Sequence, residues 1–311
     1  MSTPGRIPLV LDVDTGVDDA IAIALALRLG VFDLLGVTTV AGNVELERTT
    51  ENTRRVLAWL GAADIPVARG MSRPLVRPLR TAAAFHGENG LGGFEPPPSP
   101  ADPYLEPAPA FMVRTARERP GEVTFVCVGP LTNLAVALGL EPDLPRLVRR
   151  VVIMGGAYTV PGNSTPAAEF NIYADPEAGD LVARSGLPIT FIGLDVTHQV
   201  VLERAEWDAL EAASDPAARL VREVCVHSFA VRGIERFHLH DPLAVAVAAF
   251  PELVEVRESG VMVVTGLGER AGETLLVDRP GLPRHAVALG VDVARFGALF
   301  RSTLGLDGTP G

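Results

Sequence analysis

A single α/β domain of Rossmann-like type, with a mostly parallel central sheet flanked by helices and a C-terminal antiparallel extension, is the fold the sequence predicts. Three observations carry it. Short runs of β-branched and apolar residues, each closed by a turn signal or a polar cluster, recur along the chain, as strands buried on both faces do. Longer segments with helical patterning lie between them, and strands alternating with helices imply a parallel sheet covered on both sides. From Leu253 the pattern changes to strand-like runs, which suits antiparallel pairing.

Taken in order, Ile7 to Asp12 reads as the first strand, and Gly16 supplies a turn before the almost wholly apolar helix Ala20 to Leu29. Leu34 to Val40 and Glu45 to Leu60 repeat the strand and helix. The stretch Phe94 to Pro109 is dense in proline and reads as an extended surface loop rather than a linker, because the alternation resumes after it. It resumes as helix Phe111 to Arg119, strand Val123 to Val128, helix Leu131 to Leu140, strand Val151 to Met154, helix Pro176 to Arg184 and strand Ile189 to Leu194. The apolar helical run Pro242 to Phe250 leads to the strand-like runs Val261 to Val264, Thr274 to Val277 and Ala286 to Leu289, then a helix over Val293 to Leu304. Residues 1–311 are therefore expected to form one domain, with a frayed tail from Leu306.

Composition narrows the function. Hydrophobic residues make up 48% of the 311 and charged residues 21%, which fits a globular protein with a substantial core. The net charge of −11 repels a polyanion, so a small substrate is expected rather than nucleic acid. All 27 basic residues are arginines, which excludes Schiff-base chemistry, a phosphate-loop lysine and lysine general bases. Cys127 and Cys225 belong to no metal-ligand spacing and read as buried thiols in a reducing compartment. Met1 to Pro8 shows no basic region followed by a long apolar stretch, so no signal peptide or membrane anchor is read and a cytoplasmic location is expected.

The run Asp12-Val13-Asp14-Thr15-Gly16-Val17-Asp18-Asp19 sits at the carboxyl end of the first strand, where open α/β sheets place their ligands. One acidic group at a helix start is explained by capping. A crowd of them is not, because two like charges about 4 Å apart repel by about 1 kcal/mol in water and about 4 kcal/mol at an effective dielectric of 20. A hard cation relieves this, and an all-oxygen donor set suits Ca²⁺ or Mg²⁺.

The run resembles the signature of the inosine-uridine-type nucleoside hydrolases, and further matches recur from residue 7 to about residue 250. Thr15 stands where many members carry proline, which alters turn stiffness more than chemistry. The resemblance implies a Ca²⁺ held by Asp14, Asp19, Asp241 and the backbone carbonyl of Val128, with Asp12 supporting the ligands from behind. Val128-Gly129-Pro130-Leu131-Thr132-Asn133 alone reads as a plain strand-turn-helix junction. Asn163 and Glu169-Phe170-Asn171, singly ordinary loop residues, together resemble the family's sugar-binding segment. They imply Asn163 and Glu169 on the 5′-hydroxyl, Asn171 and Asp18 on the 2′ and 3′ hydroxyls, and Asn43, Met154 and Phe170 lining the pocket. Asp241 before Pro242 is also a reasonable helix N-cap. In the family's pattern it completes the cation site while His240 faces the nucleobase. The glycine-rich stretch at His86 matches a loop near the substrate, and Arg222 to Phe237 is expected to form a helical flap that brings Arg236 and Phe237 to the pocket. His198, His227 and His285 fall in no constellation and read as structural or surface residues.

The implied reaction is Ca²⁺-dependent hydrolysis of a ribonucleoside, with Asp14 as general base and His240 assisting the departing base, in a homodimer or homotetramer. Two other readings stay open. Asp12-Val13-Asp14-Thr15 also satisfies the nucleophile motif of Mg²⁺ phosphohydrolases of the haloacid dehalogenase type, although these usually hold phosphate with a lysine that this chain lacks. The other is a catalytically silent nucleoside- or ribose-binding protein.

Overall fold

The computed structural model describes residues 5–306. Among them eleven strands are found: β1 (Ile7–Val13), β2 (Phe32–Thr39), β3 (Val67–Arg69), β4 (Thr124–Cys127), β5 (Arg150–Met154), β6 (Ile189–Ile192), β7 (Val201–Glu203), β8 (Arg236–His238), β9 (Val254–Val263), β10 (Thr274–Val277) and β11 (His285–Val291). Nine form one sheet in the order β10-β9-β11-β6-β5-β4-β1-β2-β3, and β7 pairs with β8 in a separate antiparallel ribbon. The expected α/β domain is thus present.

The C-terminal extension is antiparallel where β9 meets β11 and β10, but β11 returns parallel to β6 and continues the main sheet. Continuous apolar runs are legible as strands because both sheet faces are covered. On one face the helices Val17–Arg28, Pro216–Val224, His240–Ala249 and Val293–Leu304 share a core with Leu9, Leu11 and Val13. On the other, Ala108–Glu118, Thr132–Leu140 and Pro176–Arg184 pack with Val10, Phe125 and Phe191. No helix among the described residues is long and apolar enough to cross a membrane. Both cysteines are free and buried.

Three expectations need correction. The first helix begins at Val17 rather than Ala20, with Gly16 as its cap, so Asp18 and Asp19 lie inside its first turn. Arg222 to Phe237 is not one helix. Pro216–Val224 ends there, a π-helical turn follows at His227–Val231, Gly233 takes a positive φ of 67°, and Arg236 begins β8. Glycine at that φ avoids the clash that a Cβ would make, and it breaks the segment. Of the tail expected to fray, Leu306 is buried and donates its N–H to Arg301 O, while residues 307–311 lie outside the described residues.

The sheet order places β1 between β4 and β2. The chain leaves β1 toward β2 on one side and reaches β4 on the other, so a crevice opens at the carboxyl ends of these strands.

Candidate active site

A cavity of about 740 Å³ opens at those carboxyl ends, within the size range of small-molecule sites. Its wall includes Asn43 after β2, Val128 after β4, Met154 of β5 and Asp18 at the start of the first helix. Asp241, from the first turn of His240–Ala249, reaches it from the far end of the sequence. The helix bearing Asp18 and the helix bearing Asp241 pack against each other, which is how residues so distant in the chain meet.

Oxygens of Asp18, Asp19 and Asp241 lie within 4.8 Å of one another, and all three side chains are buried. Asp14 and Asp19 are fully buried and do not form part of the cavity wall. Asp19 is pinned by the N–H groups of Asp14 (3.0 Å) and Gly16 (2.9 Å) and by Asn43 Nδ2 (3.0 Å). Asp14 accepts from the Asn43 N–H at 2.7 Å through Oδ2, while its Oδ1 and Asp18 Oδ1 are buried without a hydrogen-bond partner. Asp12 stands behind them, accepting from Thr38 (2.5 Å) and Asn133 (2.7 Å).

Crowding and burial show in the acidities. Burial pushes Asp18 up to about 8, with the charge of Asp19 adding to it. Burial likewise pushes Asp12 up to about 7 despite its two hydrogen bonds. Asp14 and Asp241 rise well above the usual carboxylate range, first through burial and then through neighbouring aspartates. Buried carboxylates held close together fit a cation that would neutralise them, and the donors are all oxygen.

Two glycines leave room for Asp14. A Cβ on Gly42 would lie 2.1 Å from Asp14 Oδ2, and one on Gly129 would lie 2.9 Å from its Oδ1. Because Asp14 is fixed by the Asn43 amide, it has no easy retreat. Gly42→Ala is therefore expected to destabilise the protein by about 1–3 kcal/mol, the range for overpacking. Chemical denaturation reads this, and unchanged stability would contradict the packing argument.

The remaining expected residues gather around the same space. Glu169 caps the Phe170–Ala174 helix, its carboxylate accepting from the N–H groups of Asn171, Ile172 and Gly156. Asn171 Nδ2 donates to Val128 O (2.6 Å) and Met154 O (3.2 Å), and Asn163 Oδ1 accepts from the Phe170 N–H. His86 Nδ1 accepts from the Val17 N–H at 3.0 Å, which fixes it against the cluster as a neutral ring. Burial, then Arg232 and His227, lowers it to about 4. Arg236 and Phe237 also line the cavity, delivered by β8 rather than by a helix.

The structure departs from the sequence expectation at one histidine. His198 lines the cavity and packs against His238 and His240, with ring centroids 4.9 and 5.7 Å apart. His198 is the C-cap of the short helix Leu194–Thr197 that follows β6, which brings it to the same sheet edge as the other site residues. Arg80, Phe85, Tyr173, Ser228 and Arg232 also line the wall without having been singled out. His285 is buried against Phe191, a packing role as expected.

Fold and site together define an enzyme class: an open α/β sheet carrying a buried all-oxygen cluster beneath a substrate-sized cavity at its carboxyl edge. Comparison with known proteins makes the assignment specific. The family model described as inosine-uridine preferring nucleoside hydrolase matches residues 9–298, and the chain belongs to that family. A pyrimidine-specific ribonucleoside hydrolase RihA from Shewanella woodyi is 40% identical over 96% of this chain and 97% of its own. A probable uridine nucleosidase 2 from Arabidopsis thaliana is 37% identical over 89% and 87%. Among solved structures, a purine-preferring ribonucleoside hydrolase from Gardnerella vaginalis superposes with a TM-score of 0.90 at 34% identity, covering 96% of this chain and 98% of the other. The chain is accordingly an N-glycosyl hydrolase of the nucleoside hydrolase family, and the phosphohydrolase reading of the aspartate run falls away.

Proposed function

We propose that this enzyme hydrolyses ribonucleosides to ribose and free base in a Ca²⁺-dependent reaction with Asp14 as general base. The observation that carries the reading is the oxygen cluster of Asp18, Asp19 and Asp241, together with the partnerless buried oxygens of Asp14 and Asp18. Asp19 and Asp241 of that cluster, with Asp14 through its partnerless Oδ1 and the Val128 carbonyl, are the groups that would hold the cation, while Asp18, which the cluster also takes in, is left for the ribose. Bound there, Ca²⁺ would neutralise the carboxylates and orient a water and the ribose diol.

The chain's own residues divide the remaining work. Asp14 takes a proton from the water that adds to C1′, a role for which its partnerless Oδ1 is free. Asp18 and Asn171 bind the 2′ and 3′ hydroxyls from the cavity wall. Glu169 is fixed by three backbone N–H groups and still has lone pairs for the 5′-hydroxyl beside Asn163, since a carboxylate offers about four. Asn43, Met154 and Phe170 shape the sugar end and His86 stands beside Asp18, while His240, Arg236 and Phe237 face the base.

The test is a ribose-release assay across purine and pyrimidine ribonucleosides, with and without Ca²⁺, run beside p-nitrophenyl phosphate. Ribose release that needs the cation, with the phosphate ester untouched, is the expected result. Nucleoside binding without ribose release would favour the silent binding protein instead. The names of the relatives span pyrimidine-specific and purine-preferring enzymes, so the same panel reads out base preference.

A further inference from the structure

We propose that Thr197 is a positioning residue for His240: its hydroxyl donates to Nδ1 of the imidazole, which leaves the ring's proton on Nε2, facing the nucleobase end of the cavity. The inference rests on the reading of this cavity as a ribonucleoside site and adds to it the protonation pattern of the leaving-group residue.

Thr197 closes the short helix Leu194–Thr197 that follows β6, and it is fully buried. Its Oγ1 lies 2.7 Å from His240 Nδ1. A hydroxyl brings one proton and two lone pairs, so either partner could donate in isolation. The surroundings decide. Among the described residues Thr197 Oγ1 has no other hydrogen-bond partner. Were Nδ1 the donor, the hydroxyl proton would be left buried without an acceptor, and buried donors are rarely left unsatisfied. With Thr197 donating, both groups are satisfied and the ring is neutral, carrying its proton on Nε2. That nitrogen has no partner among the described residues, and His240 lines the cavity. His198 and His238 stand against the ring with centroids 5.7 and 5.5 Å away, which restricts its rotation.

This pattern limits what His240 does. As the N-glycosidic bond breaks, its electron pair goes to the base nitrogen. Water adds to C1′ and gives up a proton to Asp14. Nε2–H stabilises the developing charge on the base by hydrogen bonding and keeps its proton, because a neutral imidazole stripped of it would become an unfavourable imidazolate. The departing base takes its proton from solvent. Neutral histidine acting as an electrophilic donor is an established mode of catalysis.

Thr197→Val keeps shape and removes the hydroxyl. Its kcat on inosine or uridine is expected to fall by roughly tenfold or more, less than the roughly 10²–10⁴-fold of full proton-transfer assistance because the hydroxyl only positions the ring. With p-nitrophenyl riboside, whose leaving group needs little stabilisation, the rate should stay close to wild type, and Thr197→Ser should restore nucleoside turnover. An equal loss on both substrates, no loss on nucleosides, or a serine variant as impaired as valine would overturn the assignment. Independently of how the variants fold, ¹⁵N shifts of histidine-labelled wild-type protein report the tautomer: a protonated Nε2 on His240 supports the proposal, and a protonated Nδ1 refutes it. If the wild type cleaves no ribonucleoside, the catalytic reading fails while the tautomer measurement still decides on Thr197.

Discussion

Asp14→Ala is expected to abolish ribose release from inosine and uridine, with kcat reduced by roughly 10²–10⁴-fold if only general-base assistance is lost, and further if the cation is lost with it. The side chain is fully buried, Oδ2 is held by the Asn43 amide and Oδ1 is partnerless. Removing it relieves like-charge crowding, so the variant should fold and melt no lower than the metal-free parent. That separation makes the result interpretable. A folded Asp14→Ala enzyme turning over at near wild-type rate would remove Asp14 from the chemistry, and assays at several Ca²⁺ concentrations would distinguish weakened cation binding from a lost base.

Removing divalent cations should silence the enzyme and reveal an inverted dependence of stability on pH. Asp12 and Asp18 have native pKa values raised to about 7 and about 8, with burial the leading cause in both. An unfolded aspartate titrates near 3.9. Between those limits the native state binds more protons than the unfolded state, so stability falls as pH rises. The metal-free protein should therefore melt at a higher temperature at pH 5 than at pH 8. Added Ca²⁺ prefers the ionised carboxylates, so it should raise the melting temperature more at pH 8. A metal-free melting temperature that climbs from pH 5 to pH 8 would show that these carboxylates are not held as the structure has them.

The fold was readable where burial leaves a strong pattern. β1, β4, β5 and β6 are apolar on both faces and stand out as runs, and Pro176–Arg184 and Val293–Leu304 match their expected bounds. β3, β7 and β8 have three residues each, too short for a periodic signal, and β7 and β8 owe their pairing to each other. The segment Arg222 to Phe237 carries a helical pattern in sequence because one π-helical turn and a glycine break interrupt its apolar pattern without erasing it. In the site, Asp14, Asp18 and Asp19 were visible from their crowding and from the strand end they follow. Asp241 was not visible on those grounds, because an aspartate before a proline is an equally good cap, and only the resemblance linked it to the others. His198 escaped because nothing in its own neighbourhood announces the two histidines that lie 40 and 42 residues onward.

The packing of Val17–Arg28 against His240–Ala249 has a consequence for synthesis of the chain. Asp12, Asp14, Asp18 and Asp19 are synthesised together, but Asp241 emerges more than two hundred residues later. The nascent protein must therefore carry an incomplete acidic nest through most of its translation, with the sheet from β1 to β6 already able to form around it. Capture of the proposed cation would then be a late, long-range latch tying the two helices together across more than two hundred residues of intervening chain. Closing so long a loop costs little more entropy than closing one half its length, which makes the latch thermodynamically affordable. A ribosome-stalled fragment ending before His240 should retain sheet structure yet show no Ca²⁺-dependent gain in protease resistance.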